Sequence, residues 1–178
     1  MIGHRTITFS GRTWSVKSSN GGKVGPGNNY FSNSNESVWV DGNGFLHLKV
    51  RKINGVWHSA EVVLDQSLGY GRYVVYTISR VDLLDKNLVL GMFTYDNSAP
   101  KVNYRELDIE ISRWGDANND IGQFVVQTDK PVNNILRFPV QLNGDYSSHV
   151  IDWRADKIYF QMMHGHHNYA PNYGYFIK

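Results

Sequence analysis

Three carboxylates at alternate positions, Glu106, Asp108 and Glu110, are the residues of this chain best suited to chemistry. In an extended strand alternate side chains share a face, so these acids would form one row while Leu107, Ile109 and Ile111 form the opposite one. The apolar row belongs in a core. A row of like charges repels itself and adds nothing to packing, so it costs stability unless the charges have a task. Only four glutamates occur in the whole chain, and two of them are here. The plainer reading is a solvated face neutralised by Arg80, Arg105 or Arg113, but such faces mix signs and hydroxyls rather than repeating acids.

Distance selects the chemistry. At about 3.3 Å per residue, the Cα atoms of Glu106 and Glu110 lie roughly 13 Å apart. Two glutamates leaning together on a bent strand can bring their carboxyls to about 5–5.5 Å, the separation of a retaining glycoside hydrolase. One glutamate would attack the anomeric carbon, while the other protonates the departing oxygen and later deprotonates water. Asp108, between them, would tune both, and the three groups would titrate as a set.

The elements that must hold this row read as strands. Short β-rich runs recur at Thr6–Phe9, Ser37–Val40, Phe45–Val50, Ala60–Leu64, Arg72–Ile78, Leu88–Tyr95, Arg105–Ser112, Gly122–Thr128, His149–Trp153 and Lys157–Met163. No helical period interrupts them. Asp41-Gly-Asn-Gly44 and Asn54-Gly55 sit where hairpin turns belong, and Asn143-Gly-Asp145 precedes another run, so the pairing is expected to be antiparallel. About ten such runs without βαβ alternation predict an all-β, two-sheet antiparallel sandwich of the jelly-roll kind. With 178 residues the chain suits a single domain, 1–178. A net charge of +2, with both signs scattered, offers no basic stripe for nucleic acid. The absence of cysteine excludes disulfides and thiolate chemistry, and no stretch is long and apolar enough to span a bilayer as a helix.

The segment Tyr104–Trp114 resembles the Glu-x-Asp-x-Glu signature of glycoside hydrolase family 16, the laminarinase, lichenase and xyloglucan-active group. Ser59–Val62, Leu68–Tyr73, Val89–Tyr95, Ser112–Gly115 and Val150–Trp153 look like the family's successive strands in the right order, so the resemblance covers nearly the whole chain. It implies a concanavalin-like jelly roll with a concave substrate cleft, acting outside the cell, as a monomer, on a β-1,3- or β-1,3-1,4-glucan. By the same resemblance Glu106 is the nucleophile, Glu110 the acid/base and Asp108 the assistant. Aromatic rings would line the sugar subsites, with Tyr30, Phe93, Tyr95 and Trp114 as candidates. Trp14, Trp39 and Trp153 lie in strand patterns and suit a core at least as well. Family members continue past the equivalent of Tyr173–Lys178 into further strands, so the resemblance implies a domain truncated at its C-terminus.

Other constellations carry less. His164-Gly-His166-His167 has no carboxylate nearby in sequence and suits a lip of the cleft better than a metal site. The glycine-rich Asn20–Asn29 leads into no helix and reads as a surface loop rather than an anion cradle. Asn35-Glu36-Ser37 is a glycosylation sequon, and no nucleophile elbow places a serine for a triad. No organic cofactor or metal is needed, and nothing in the sequence supports the structural calcium that the resemblance allows. The competing functions are a non-catalytic carbohydrate-binding module on the same sandwich and a transglycosylase using the same glycosyl-enzyme.

Overall fold

The computed structural model describes residues 5–127 and 134–168 together with the backbone of 175–177. Among the described residues the regular structure comprises sixteen strands and the short 3-10 segments Val81–Leu83 and Pro100–Arg105. Among the described residues no helix is long and apolar enough to cross a membrane. The chain divides into two compact units, Met1–Leu68 and Gly69–Lys178.

The N-terminal unit is built from hairpins. Strands β1 (Thr6–Phe9) and β2 (Arg12–Val16) are joined through Ser10-Gly11, β4 (Val38–Val40) and β5 (Leu46–Leu48) through Asp41–Phe45, and β6 (Arg51–Ile53) and β7 (Val56–Ser59) through Asn54-Gly55. Both residues of the Ser10-Gly11 and Asn54-Gly55 turns have positive φ, the backbone that a two-residue hairpin needs to match strand twist. β8 (Val62–Val63) joins β2 at Ser15 and Val16. One pairing departs from the antiparallel expectation: β3 (Tyr30–Phe31) runs parallel to β7, setting Tyr30 opposite His58 and Phe31 opposite Ser59. A long connection separates these two strands in sequence, so no tight turn forces them antiparallel. Val16, Phe31 and Val38 are buried in this unit. The Arg5 guanidinium satisfies the carbonyls of Asn33 and Val38 at 2.9 and 2.8 Å. Of the tryptophans here, Trp14 donates to the Phe9 carbonyl, and half-buried Trp39 stacks on His47 at 4.5 Å.

The C-terminal unit is a sandwich in its own right. One sheet has the order β10 (Leu90–Thr94), β11 (Leu107–Ile111), β12 (Gly122–Val126), β13 (Ile135–Phe138). The other runs β16 (Tyr175–Ile177), β15 (Ile158–His164), β14 (Tyr146–Trp153), β9 (Gly71–Ile78). All neighbours in both sheets are antiparallel. Leu107, Ile109 and Phe124 from the first sheet pack with Ile151 and Phe160 from the second, flanked by Tyr73, Met92, Phe138 and Trp153. This is the expected two-layer core, and Trp153 belongs to it. A second cluster, Val81, Ile111, Ile121 and Leu142, closes one end. There Asp82, only 3% exposed, accepts from the Arg80 guanidinium at 2.8 and 2.9 Å and from the Leu142 N–H at 3.0 Å. Those bonds hold its carboxyl down at about 2.

Candidate active site

β11 alternates as its sequence predicts. Leu107, Ile109 and Ile111 are fully buried on the core side, which commits Glu106, Asp108 and Glu110 to the opposite face of the sheet. Glu106 lies one residue before the strand, but its backbone is extended and its carbonyl accepts from the Gln127 N–H at 3.0 Å, so the ladder continues through it. The approach to the row is unusual. Asn103, Tyr104 and Arg105 have φ of 50, 55 and 52°, and Trp114, just beyond the strand, has 46°. Left-handed backbone at non-glycine residues is costly and collects at functional sites. Thr94 holds the first of these bends: its hydroxyl donates to the Arg105 carbonyl at 2.8 Å and accepts from the Leu107 N–H at 3.2 Å.

The acids are not neutralised by the arginines that a solvated face would use. Arg80 pairs with Asp82, Arg105 with Asp96 at 3.9 Å, and Arg113 donates to the carbonyls of Leu84 and Asp82. Asp108 is 6% exposed. Burial, then the charges of Glu106 and Glu110, push its carboxyl up to about 7, against a weak lowering by the Gln127 amide at 3.4 Å. Glu106 is also raised, by burial and then by the charge of Glu110. Burial raises Glu110 too, while a hydrogen bond from the Gln123 amide and the nearby Arg137 charge pull it back. Three neighbouring carboxyls, each displaced upward by burial, hold their protons more tightly than free carboxyls do, which general acid chemistry requires.

Of the aromatic candidates, Phe93, Tyr95 and Trp114 come to this face. Cross-strand partners share a face, and Phe93 lies directly opposite Asp108. Tyr95, one residue past β10, lies close enough to Glu106 for that charge to raise its phenol, behind the larger effect of desolvation. Its ring stacks on Tyr104 at 4.9 Å. Phe93 and Tyr95 are 39% and 48% exposed, so the rings stand open beside the acids. Trp114 holds the Arg137 guanidinium over its ring at 4.3 Å, and its backbone N–H donates to the Ser112 hydroxyl at 2.9 Å. Tyr30 belongs to the N-terminal unit, where its ring tilts over His58 at 5.5 Å; the acid-bearing sheet does not supply it. Gly91 faces Glu110 across the ladder and leaves that place without a side chain.

Four polar or aromatic residues of this face went unread in the sequence: Tyr104, Gln123, Gln127 and Arg137. Gln123 and Gln127 have the parity of the acids once β12 is registered against β11, a pattern visible in Gly122–Thr128. Arg137 required β13, which carries no strong strand signal. The histidine cluster is not at the lip of this face. His166 Nε2–H donates to the Thr77 carbonyl at 2.9 Å, and the ring packs on Tyr76 and Tyr146, all on the opposite sheet. Among the described residues no group of three or more His, Cys, Asp or Glu is arranged to hold a metal ion. A cavity of about 480 Å³ in the N-terminal unit is lined by Asn35, Glu36, Trp39, Lys49 and Arg51 and contains none of the three acids.

No protein-family model matches the sequence, and no curated protein matches it. Solved structures do. A β-glucanase of Bacillus licheniformis superposes with a TM-score of 0.62 at 18% identity, covering 98% of this chain and 82% of that one. An immunostimulatory antigen and pseudo β-1,3-glucanase of Mycobacterium tuberculosis gives 0.60 at 16% identity, covering 91% and 68%. A β-1,3-glucanase from Mycobacterium marinum gives 0.56 at 14% identity, covering 92% and 69%. The chain therefore has the β-sandwich fold of the β-glucanases.

Proposed function

We propose that this protein is an endo-acting retaining glycoside hydrolase that works outside the cell on a β-1,3- or β-1,3-1,4-glucan. The observation that carries the reading is the seating of Asp108: a nearly buried carboxyl, held up to about 7, between two glutamates on a face rimmed by exposed rings. A protein that only binds sugar gains nothing from burying a charge between two like charges. The fold alone does not decide activity, and one of the similar structures is named a pseudo β-1,3-glucanase.

In the proposed mechanism Glu106 attacks the anomeric carbon while Glu110 gives its proton to the leaving oxygen. The glycosyl–Glu106 ester then forms, and Glu110, now ionised, takes a proton from water as the water displaces Glu106. Asp108, neutral below about pH 7, donates a hydrogen bond that steadies a neighbouring glutamate without adding charge. Phe93, Tyr95 and Trp114 present flat faces to the sugars. Glu106→Gln and Glu110→Gln should each lower laminarin or mixed-linkage glucan turnover by roughly a thousandfold or more while leaving binding intact. NMR of the first product should show the anomer retained. Near-normal rates in either variant, or an inverted first product, would remove the mechanism. Binding by the native chain without turnover of any glucan would leave a carbohydrate-binding module.

A further inference from the structure

Building on the hydrolase reading, we infer that Arg137 is a positioning residue, acting through Gln123 to hold one oxygen of Glu110 and leave the other as the seat of the exchanged proton. The register places Glu110, Gln123 and Arg137 side by side on β11, β12 and β13, so all three share the acid-bearing face. Arg137 Nε–H donates to Gln123 Oε1 at 2.6 Å. A guanidinium can only donate, so the group of Gln123 turned towards it must be the carbonyl oxygen. The amide nitrogen is then turned to Glu110, and it donates to Oε2. Without Arg137 the amide could rotate and present its oxygen to the carboxylate instead.

The consequence falls on the proton. An amide N–H is best accepted by an unprotonated oxygen, so a proton on Oε2 would weaken the bond from Gln123, whereas one on Oε1 leaves it whole. The guanidinium lies over the Trp114 ring at 4.3 Å, a cation–π contact that favours this position. Arg137 is itself exposed, so packing does not account for its place. The other groups around Glu110 cannot substitute for it. β11 brings the acids Glu106 and Asp108, β10 brings uncharged Gly91 and Phe93, and β12 brings uncharged Gln123. Arg137, on β13, is thus the positive charge set against the upward push of burial on Glu110.

The test is a carboxyl titration read by NMR with glutamate carbon-13 labelled at Cδ. Only four glutamates are present, and Glu106→Gln and Glu110→Gln assign the two signals of interest. Arg137→Ala should raise the Glu110 midpoint by roughly half a unit to one unit, whereas Arg137→Lys, which keeps the charge, should hold it near the native value. Unmoved amide signals from Ile109, Phe124 and Phe160 would show that the core of the C-terminal unit is intact. The alkaline limb of kcat/KM should move with the midpoint. A Glu110 midpoint within about 0.2 units of native in Arg137→Ala would overturn the inference. Absence of hydrolysis in the native chain would sink the hydrolase reading instead, and the titration would still decide whether Arg137 acts on Glu110.

Discussion

Replacing Asp108 by Asn should make this protein more stable, and only above mildly acidic pH. The folded carboxyl titrates at about 7 against an ordinary value of 3.8, because the site is buried and flanked by Glu106 and Glu110. A group whose folded value is raised holds its proton more tightly in the native state. Its contribution is therefore fully present below about pH 4 and is lost as pH rises through 7. The displacement is about three units at about 1.4 kcal/mol each, so ionised Asp108 costs on the order of 4 kcal/mol at pH 8. Asn has nearly the same shape, carries no charge, and can still accept from the Gln127 amide that reaches Oδ2 at 3.4 Å. Asp108→Asn should match the native protein at pH 4 and gain up to about 4 kcal/mol at pH 8. At about 2–4 °C per kcal/mol for a chain of this size, that is roughly 8–16 °C in Tm. Melting curves at pH 4, 6 and 8 read it directly, and the gain should shrink in a Glu106→Gln, Glu110→Gln background. Turnover should fall in the same variant, as expected where stability is given up for function. A difference in stability that is the same at pH 4 and pH 8, or a less stable variant at pH 8, would refute the reasoning.

Two further titrations test the frame around the site. Asp82, held down at about 2 chiefly by Arg80, contributes stability that is present above 3.8 and is lost as pH falls through 2. Asp82→Asn should cost about 2 kcal/mol at pH 7 in urea denaturation, and the gap should narrow at pH 2.5. His149 is buried to 1% exposure, with its value lowered to about 4 by burial, and it contacts the hydroxyls of Ser147 and Thr77. Since the folded value is below the ordinary 6.5, the native protein should lose about 3 kcal/mol as pH falls from 6.5 to 4. His149→Gln should flatten that part of the stability profile, and an unchanged slope would place the acid sensitivity elsewhere.

The acidic row was legible because one strand carries two messages at once. Leu107, Ile109 and Ile111 mark the buried face by alternation, and the intervening acids then have only one place to go. β1, β9 and β11 emerge close to their expected bounds for the same reason, as do the turns at Asp41–Gly44 and Asn54-Gly55. What surrounds the row was less legible. Gln123 and Arg137 acquire meaning only through cross-strand register, which depends on partners 13 and 27 residues away from Glu110. β13 is four residues long, and its Arg137 faces the site, so local periodicity is weak where function intrudes. The short strand Tyr30–Phe31 pairs in parallel with a distant segment, and no local turn announces it. Sequence could nominate Tyr30 for its ring but could not say that its neighbours would be His58 and Lys23.

The two rows of β11 also bind the chain's chemistry to its length. One inserted or deleted residue between Glu106 and Ile111 would reverse the parity of everything beyond it, carrying carboxylates into the hydrocarbon layer and isoleucine onto the opposite face. Point substitution can tune this strand one position at a time, but indels would be expected to abolish folding and activity together. Variation in chain length should therefore concentrate in the connections beyond it, such as Asp116–Asp120, leaving the hexapeptide itself as the fixed ruler of the domain.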